Sequence, residues 1–220
     1  MVWEKRLTAR DHPELRQAYN KRHDFGFLRD QDRFYRMLAR RMAPSGGTRI
    51  LDSGCGGAYL LRELDRCECF GLDISDVALR EAQRVAPHAT LVLGGGECLP
   101  FQTDFFDQTV CLGNLEHFLD PAAGARELAR VTKKNGQVWV LLPNSYYSGD
   151  LWRVIRFGYG PDHHQPMERF GTINEWRDFL QSNGLNVRSI IPYNRFKWWK
   201  RLLPRALAYH FLYRCTPQSG

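Results

Sequence analysis

The sequence predicts an α/β fold: a seven-stranded, mostly parallel sheet with helices on both faces. Three observations predict it. Short apolar runs alternate with amphipathic helical patterns from residue 48 to residue 191. Several of these runs, such as VWVLL at 138–142, are apolar throughout, as strands covered on both faces must be. The stretch TRILDSGCGGAY at 48–59 passes from a strand through a glycine-rich turn into a helical pattern. Such a turn brings the backbone close to a ligand and offers helix N–H groups to an anionic part of it. The 220 residues suit one domain with a full core and modest additions.

Residues 1–47 are polar, arginine-rich and read as a helical N-terminal extension. Phe34, Met37, Leu38 and Met42 recur at helical spacing and predict an amphipathic helix over 32–43, ended by Pro44, Ser45, Gly46 and Gly47. Tyr19 and the group Phe25, Gly26, Phe27 fit either packing or a cover over a ligand. The first strand, 49–51, leads through the glycine turn to Tyr59, Leu60, Leu61 and Leu64, which open a helix. A second strand, 69–72, ends in Asp73. Ser75 or Asp76 can cap the next helix, which turns Val77, Leu79, Ala82 and Val85 inward and is closed by Pro87. Strands at 90–93 and 106–113, a helix at 122–131, a turn at Asn135-Gly136 and a strand at 137–142 follow. Pro143 breaks the pattern, and residues 145–172 read as a long, irregular, aromatic lid inserted after the fifth strand. A helix at 174–182, stopped by Asn183-Gly184, and strands at 187–191 and 209–215 complete a domain running from 48 to 220.

The glycine turn is not the dinucleotide fingerprint. Gly54 and Gly56 are present, but Tyr59 stands where the third glycine must permit close helix packing. The spacing D-x-G-C-G instead resembles motif I of the class I S-adenosylmethionine (SAM) dependent methyltransferases. Ala58 takes the place of one family glycine, and its methyl is expected to tighten the pocket slightly. The segments GGGECLPFQTDFFDQTVCLGNLEHFLDP and ELARVTKKNGQVWVLLPN resemble the middle of the small-molecule type of that family. The likeness spans 48–144 and continues more weakly to 191. It implies the Rossmann-like class I methyltransferase fold and SAM as methyl donor.

The resemblance also implies roles. Asp52, Ser53, Gly54, Cys55 and Gly56 would cradle the methionine part, with Asp52 holding the ammonium directly or through water. Asp73, 21 positions after Asp52, would accept both ribose hydroxyls, although a helix cap explains it too. Ile74 would lie against adenine. Gly95 stands where the family commonly has an aspartate, so Gly96 and Glu97 would hold the base through backbone N–H groups, or another residue would help. Gly113 and Asn114 would run along SAM. Glu116 and His117 would support that loop, His117 alternatively touching substrate, and Asn144 would face the crevice from the fifth strand.

SAM carries an activated methyl, so catalysis is chiefly alignment for in-line displacement. A general base is needed only when the acceptor loses its proton late. The catalytic residues stay open: His117, His163, His164 and Glu168 are the candidates, with loop support the other reading of His117 and polar surface that of the adjacent His163 and His164. Cys67 and Cys69 form a CxC without a second pair, so no metal site is expected and the thiols read as reduced and cytoplasmic. The N-terminus MVWEKRLTARDH has no leader-like apolar segment, and no run reaches the length of a membrane span.

The expected acceptor is a small molecule, a sugar or a lipid-linked intermediate. The alternatives are an RNA methyltransferase or a non-catalytic SAM-binding or partner-binding module. The net charge of +7 and pI of 9.2 permit an acidic partner. Nucleic acid is not the one expected, because the chain shows no added RNA-binding domain and its PN ending lacks an NPPY-like motif. Residues 195–205, RFKWWKRLLPR, pair Trp198 and Trp199 with basic groups, the combination favoured at a membrane surface. If the sixth strand is parallel, this stretch flanks the substrate entrance and can dock it peripherally on the inner face of a membrane. The two tryptophans can equally cover the sheet edge. Nothing in the sequence bears on oligomeric state.

Overall fold

The computed structural model describes residues 3–6, 12–24, 32–159, 166–194 and 204–218. In chain order the elements are β1 Trp3–Arg6, α1 His12–Asp24, α2 Asp32–Met42, β2 Arg49–Ser53, α3 Tyr59–Arg62, β3 Glu68–Asp73, α4 Asp76–Val85, β4 Thr90–Leu93 and β5 Phe106–Leu112. There follow α5 Pro121–Val131, β6 Thr132–Pro143, α6 Ser148–Phe157, β7 Met167–Phe170, α7 Ile173–Ser182, β8 Leu185–Tyr193 and β9 His210–Pro217.

The main sheet has seven strands in the order β4-β3-β2-β5-β6-β9-β8. The first five are parallel, whereas β9 opposes both of its neighbours. β8 therefore runs parallel to β6. Their last residues, Pro143 and Tyr193, both register with His210 and so leave the sheet at one edge. The chain steps outward from β2 through β3 to β4 and then returns to the other side of β2 as β5. The switch point lies between β2 and β5, where open α/β sheets bind ligands at their strands' carboxyl ends.

Neighbouring residues of each strand divide between two cores. Leu51, Cys111, Val138, Val140, Phe211 and Tyr213 pack toward α5 and α7. Ile50, Val110, Trp139, Leu141 and Leu212 pack toward α2, α3 and α4. This period of two is what makes the strands apolar throughout. The helices start where side chains satisfy their first N–H groups: Ser75 caps α4, Asp120 caps α5 ahead of Pro121, and Thr172 with Glu175 forms a capping box on α7.

Several expectations are corrected. Residues 145–172 are not irregular throughout, since they contain α6 and β7. β7 pairs antiparallel with β1, Trp3 opposite Phe170, in a separate two-stranded sheet that the sequence did not suggest. Asn135-Gly136 does not separate a helix from a new strand. β6 begins at Thr132, and its register against β5 jumps from the pair Phe106–Thr132 to the pair Gln108–Gln137, so residues 133–136 bulge out of a continuous strand. The helix after the glycine turn lasts only four residues. Within the expected helical extension a further helix, α1, whose bounds the sequence did not place, precedes α2.

Candidate active site

A cleft opens at the switch point. Its walls come from the glycine turn (Gly54, Cys55, Gly56, Gly57, Tyr59), the end of β3 (Leu72, Asp73, Ile74), the loop after β4 (Gly94 to Glu97), the loop after β5 (Leu112, Gly113, Asn114, His117, Phe118) and the N-terminal helices (His12, Leu15, Tyr19, Tyr35). About 1050 Å³ of empty space lies within it, counting its open mouth.

The turn is fixed by backbone geometry. Gly54 has φ +80° and Gly56 φ +51°, values that favour glycine. The Gly54 N–H donates to the Leu72 carbonyl at 2.7 Å. A Cβ on Gly54 would fall 2.4 Å from Asn114 Cγ. The close approach matters because the Asn114 amide donates to the carbonyls of Gly54 and Leu112, at 2.9 and 3.0 Å, and so ties the two loops across the cleft. Ala58, at φ +58°, sits in the left-handed region where the family glycine belongs. Its methyl lies fully buried in the core with Leu60 and Leu61 and is not part of the cleft wall. The alanine therefore does not tighten the pocket as expected; its cost is backbone strain of about 1–2 kcal/mol.

Asp73 is the best-held acid of the cleft. Its Oδ2 accepts the Gly56 N–H at 2.9 Å and its Oδ1 the Ser75 N–H at 2.8 Å, so one carboxylate sets both the glycine turn and the start of α4. A carboxylate fixed in this way on the wall fits a vicinal diol, and Ile74 beside it fits a flat base. Asp52 lies buried beneath the turn rather than on the wall. Burial, and then the charge of Asp73, push its carboxyl up to about 7. Ser53 is also buried behind the wall, and its hydroxyl has no partner among the described residues. Burial raises the Cys55 thiol well above its ordinary range, so Cys55 is an apolar liner of the cleft.

Around the loop after β4, a Cβ on Gly96 would fall 2.3 Å from the Phe118 ring, so the ring and the glycine backbone pack directly. Glu97 Oε1 accepts the Leu119 N–H at 2.8 Å, while Oε2 lies 3.9 Å from His12 Nδ1. A Cβ on Gly95 would stand 3.1 Å from that same Oε2, so Glu97 places a carboxylate close to where the family aspartate would begin.

His117 lines the cleft in a buried 3-10 turn, Leu115–His117. Its Nδ1 lies 2.6 Å from the Met167 carbonyl, which can only accept, so Nδ1 carries the hydrogen and the neutral ring has its lone pair on Nε2. Glu116 Oε1 lies 3.7 Å from Nε2. Burial first, with the Glu168 charge adding to it, pushes the Glu116 carboxyl up to about 8, and Oε2 has no partner among the described residues. Glu168 acts on this cluster by its charge and does not line the cleft.

Sequence reasoning missed Arg169. Its buried guanidinium donates to the carbonyls of Glu116, Phe118 and Leu119 and fixes the loop that carries His117. Its place in β7 puts it about 50 positions from its partners, so no local pattern reveals it. Sequence reasoning also missed α1, which Asn20 and Arg16 fasten to Asp76 at the head of α4. These bonds, Asn20 first, hold the Asp76 carboxyl well below the usual range. Tyr19 lies in the wall with its ring 6.3 Å from that of His117.

Asn144 is buried with its amide on the carbonyls of Ala206 and Ala208, both at 2.7 Å, and it is not part of the cleft wall. His163, His164, Phe25, Gly26, Phe27, Trp198 and Trp199 lie outside the described residues. Among the described residues no cluster of His, Cys, Asp or Glu could hold a metal ion, and no helix is long and apolar enough to cross a membrane.

Residues 51–140 match the family model of a methyltransferase domain. A ubiquinone biosynthesis O-methyltransferase of Alkalilimnicola ehrlichii is 29% identical over 147 residues, covering 64% of this chain and 58% of that protein. A 2-methyl-6-phytyl-1,4-hydroquinone methyltransferase of Oryza sativa subsp. japonica is 31% identical over 121 residues, covering 50% of this chain and 37% of the relative. This chain thus spans less than two thirds of the length of either relative. A solved SAM-dependent methyltransferase of Thermotoga maritima, described as a possible histamine N-methyltransferase, superposes with TM-score 0.72 at 17% identity, over 93% of this chain and all of that one. At that identity the likeness shows the fold alone.

Proposed function

We propose that this chain, which carries a class I SAM-dependent methyltransferase domain, transfers the methyl group of SAM to a ring hydroxyl of a quinol-type small molecule. The observation that carries the reading is the cleft at the switch point, where Asp73, held by two backbone N–H groups, meets the left-handed glycines of the turn. SAM supplies an electrophilic methyl on a sulfonium. The residues that would hold it are Gly54, Cys55, Gly56, Asp73, Ile74, Gly96, Glu97, Gly113 and Asn114, with Asp52 supporting the turn from below.

The quinol class is supported by two relatives whose names carry ubiquinone biosynthesis and a 1,4-hydroquinone, and by the aromatic walls Tyr19, Tyr35 and Phe118. Within that class His117 favours oxygen as the nucleophile. In the transfer, the acceptor oxygen forms a bond to the methyl carbon as the carbon–sulfur bond breaks. The bonding pair stays on sulfur, and the phenolic proton passes to His117 Nε2. Glu116, held neutral by burial, places no anion beside the ring at rest.

The test uses the full chain, SAM and a water-soluble 1,4-hydroquinone, with the methylated product identified by mass spectrometry. Wild type is expected to form the monomethyl ether together with S-adenosylhomocysteine. His117→Gln should lower kcat by roughly 10²–10⁴-fold, the span of general-base effects, and leave the SAM dissociation constant unchanged. Transfer to carbon with His117→Gln fully active would remove the base from the reading. Absence of SAM binding by calorimetry would remove the whole of it.

A further inference from the structure

Residues 151–159 are all exposed, and no residue of α6 is buried. Six of these nine side chains are large and apolar, among them Trp152 at 61%, Ile155 at 85% and Tyr159 at 75% exposure. The helix is nevertheless a finished element: Gly158, at φ +73°, closes it with a bond to the Val154 carbonyl. At about 100° per residue, Leu151, Trp152, Val154 and Ile155 share one side, and Arg153 and Arg156 the other. Globular proteins seldom leave so large a contiguous apolar patch without a partner.

We propose that α6 is an interfacial helix that lies on an anionic lipid bilayer, its apolar side among the acyl chains and its arginines at headgroup level. Charge selects this occupant. α6 carries Arg153 and Arg156 against one acid, Asp150, in its first turn. Residues 195–205 hold Arg195, Lys197, Lys200, Arg201 and Arg205, with no acid. The chain enters these segments from Pro143 and Tyr193, the two strand ends that share His210, so both set out from the edge at which the cleft opens. Two basic, aromatic segments rooted at one edge match a negative surface with apolar depth behind it. The inference rests on the quinol reading for its purpose, delivery of a lipophilic acceptor to the cleft, but its test needs no acceptor.

Full-length protein is sedimented with vesicles of phosphatidylglycerol and phosphatidylcholine, and separately with phosphatidylcholine alone. Wild type is expected to pellet with the anionic vesicles, less as salt is raised, and weakly with the neutral ones. Trp152→Ser/Ile155→Ser should cut pelleting by about tenfold, the loss expected when two interfacial anchors are removed. SAM affinity by calorimetry should stay at the wild-type value, which certifies the fold. Equal pelleting of the two proteins would overturn the proposal. So would loss of pelleting with Trp198→Ser/Trp199→Ser when the α6 variant still pellets. A wild-type dimer in gel filtration that the α6 variant dissolves, with no vesicle binding by either, would identify the occupant as a second copy and overturn it as well. Failure of methyl transfer would leave the vesicle result standing.

Discussion

Asp73 and Ile155 belong to two regions built by different rules. Asp73 is 8% exposed, and both its carboxylate oxygens accept backbone N–H groups from separate segments. Around it Asn114, Glu97 and Arg169 tie loop to loop with side-chain bonds to backbone. Ile155 is 85% exposed in a helix with no buried face. The donor half of the site is thus specified by contacts inside the chain. α6 takes its form from local sequence and its Gly158 C-cap, and its apolar side is left unburied by the described residues.

The hardest blow to the internally specified half is Gly54→Ala. Its φ of +80° and the 2.4 Å approach to Asn114 cannot accommodate a methyl. Left-handed strain plus the displaced Asn114 amide should cost about 2–3 kcal/mol of stability. SAM binding should fall about a hundredfold, near the equivalent of that cost in affinity. Calorimetry and thermal denaturation check both, and a variant with wild-type affinity would break the comparison.

Asp73→Ala comes next. The loss of one charge-assisted bond is worth about 1.5–3 kcal/mol, so SAM affinity should fall tenfold or more. An unchanged dissociation constant in a folded variant would make Asp73 a helix and turn support only.

Glu116 sharpens the comparison through pH. Its carboxyl stands at about 8 against an ordinary 4.5, so the folded state binds a proton that the unfolded state has released. The contribution of the neutral form is complete below about pH 4.5 and is lost as pH rises toward 8. Asp52 acts with the same sign, from about 3.8 to about 7. Between pH 5 and pH 8, Glu116→Gln should gain on wild type by on the order of 3 kcal/mol in urea unfolding. Parallel curves would mean that Glu116 is not neutral in the fold.

The smallest effect is expected in the other region. Ile155→Ser should move stability in urea by less than about 0.5 kcal/mol, as exposed substitutions do. A loss several times larger would show that α6 packs on the fold and would erase the difference between the two regions.

The donor half was the more legible in sequence for the same reason. Asp73 ends β3, the strand beside β2, and the family resemblance of the glycine turn pointed to it. Strands such as 138–142 announce themselves by burial on both faces. Arg169 and the Glu97–Leu119 bond could not be read, since they join residues that only the assembled sheet brings together. α1 was hidden because its interior signal is little more than Leu15, and polar bonds from Arg16 and Asn20 dock it. α6 was missed because the aromatic segment 145–172 read as irregular after Pro143, although its apolar and basic residues fall on opposite sides. Ala58 was visible as a departure, but its consequence depends on φ, which no residue type reveals.

The pairing of Trp3 with Phe170 makes the two ends of a very long loop meet. The entropy of closing a loop grows only slowly with its length, but contacts so remote in sequence form after nearer ones have organised the chain. On the ribosome, β1 emerges early and waits for a mate made much later. Trimming the chain at residue 47 would strip β7 of its companion, leave its backbone groups as a bare edge prone to pair with other molecules, and remove His12, Leu15 and Tyr19 from the cleft wall. The first few residues act as a clasp, and tags or deletions at that end are matters of catalysis and aggregation as much as of expression.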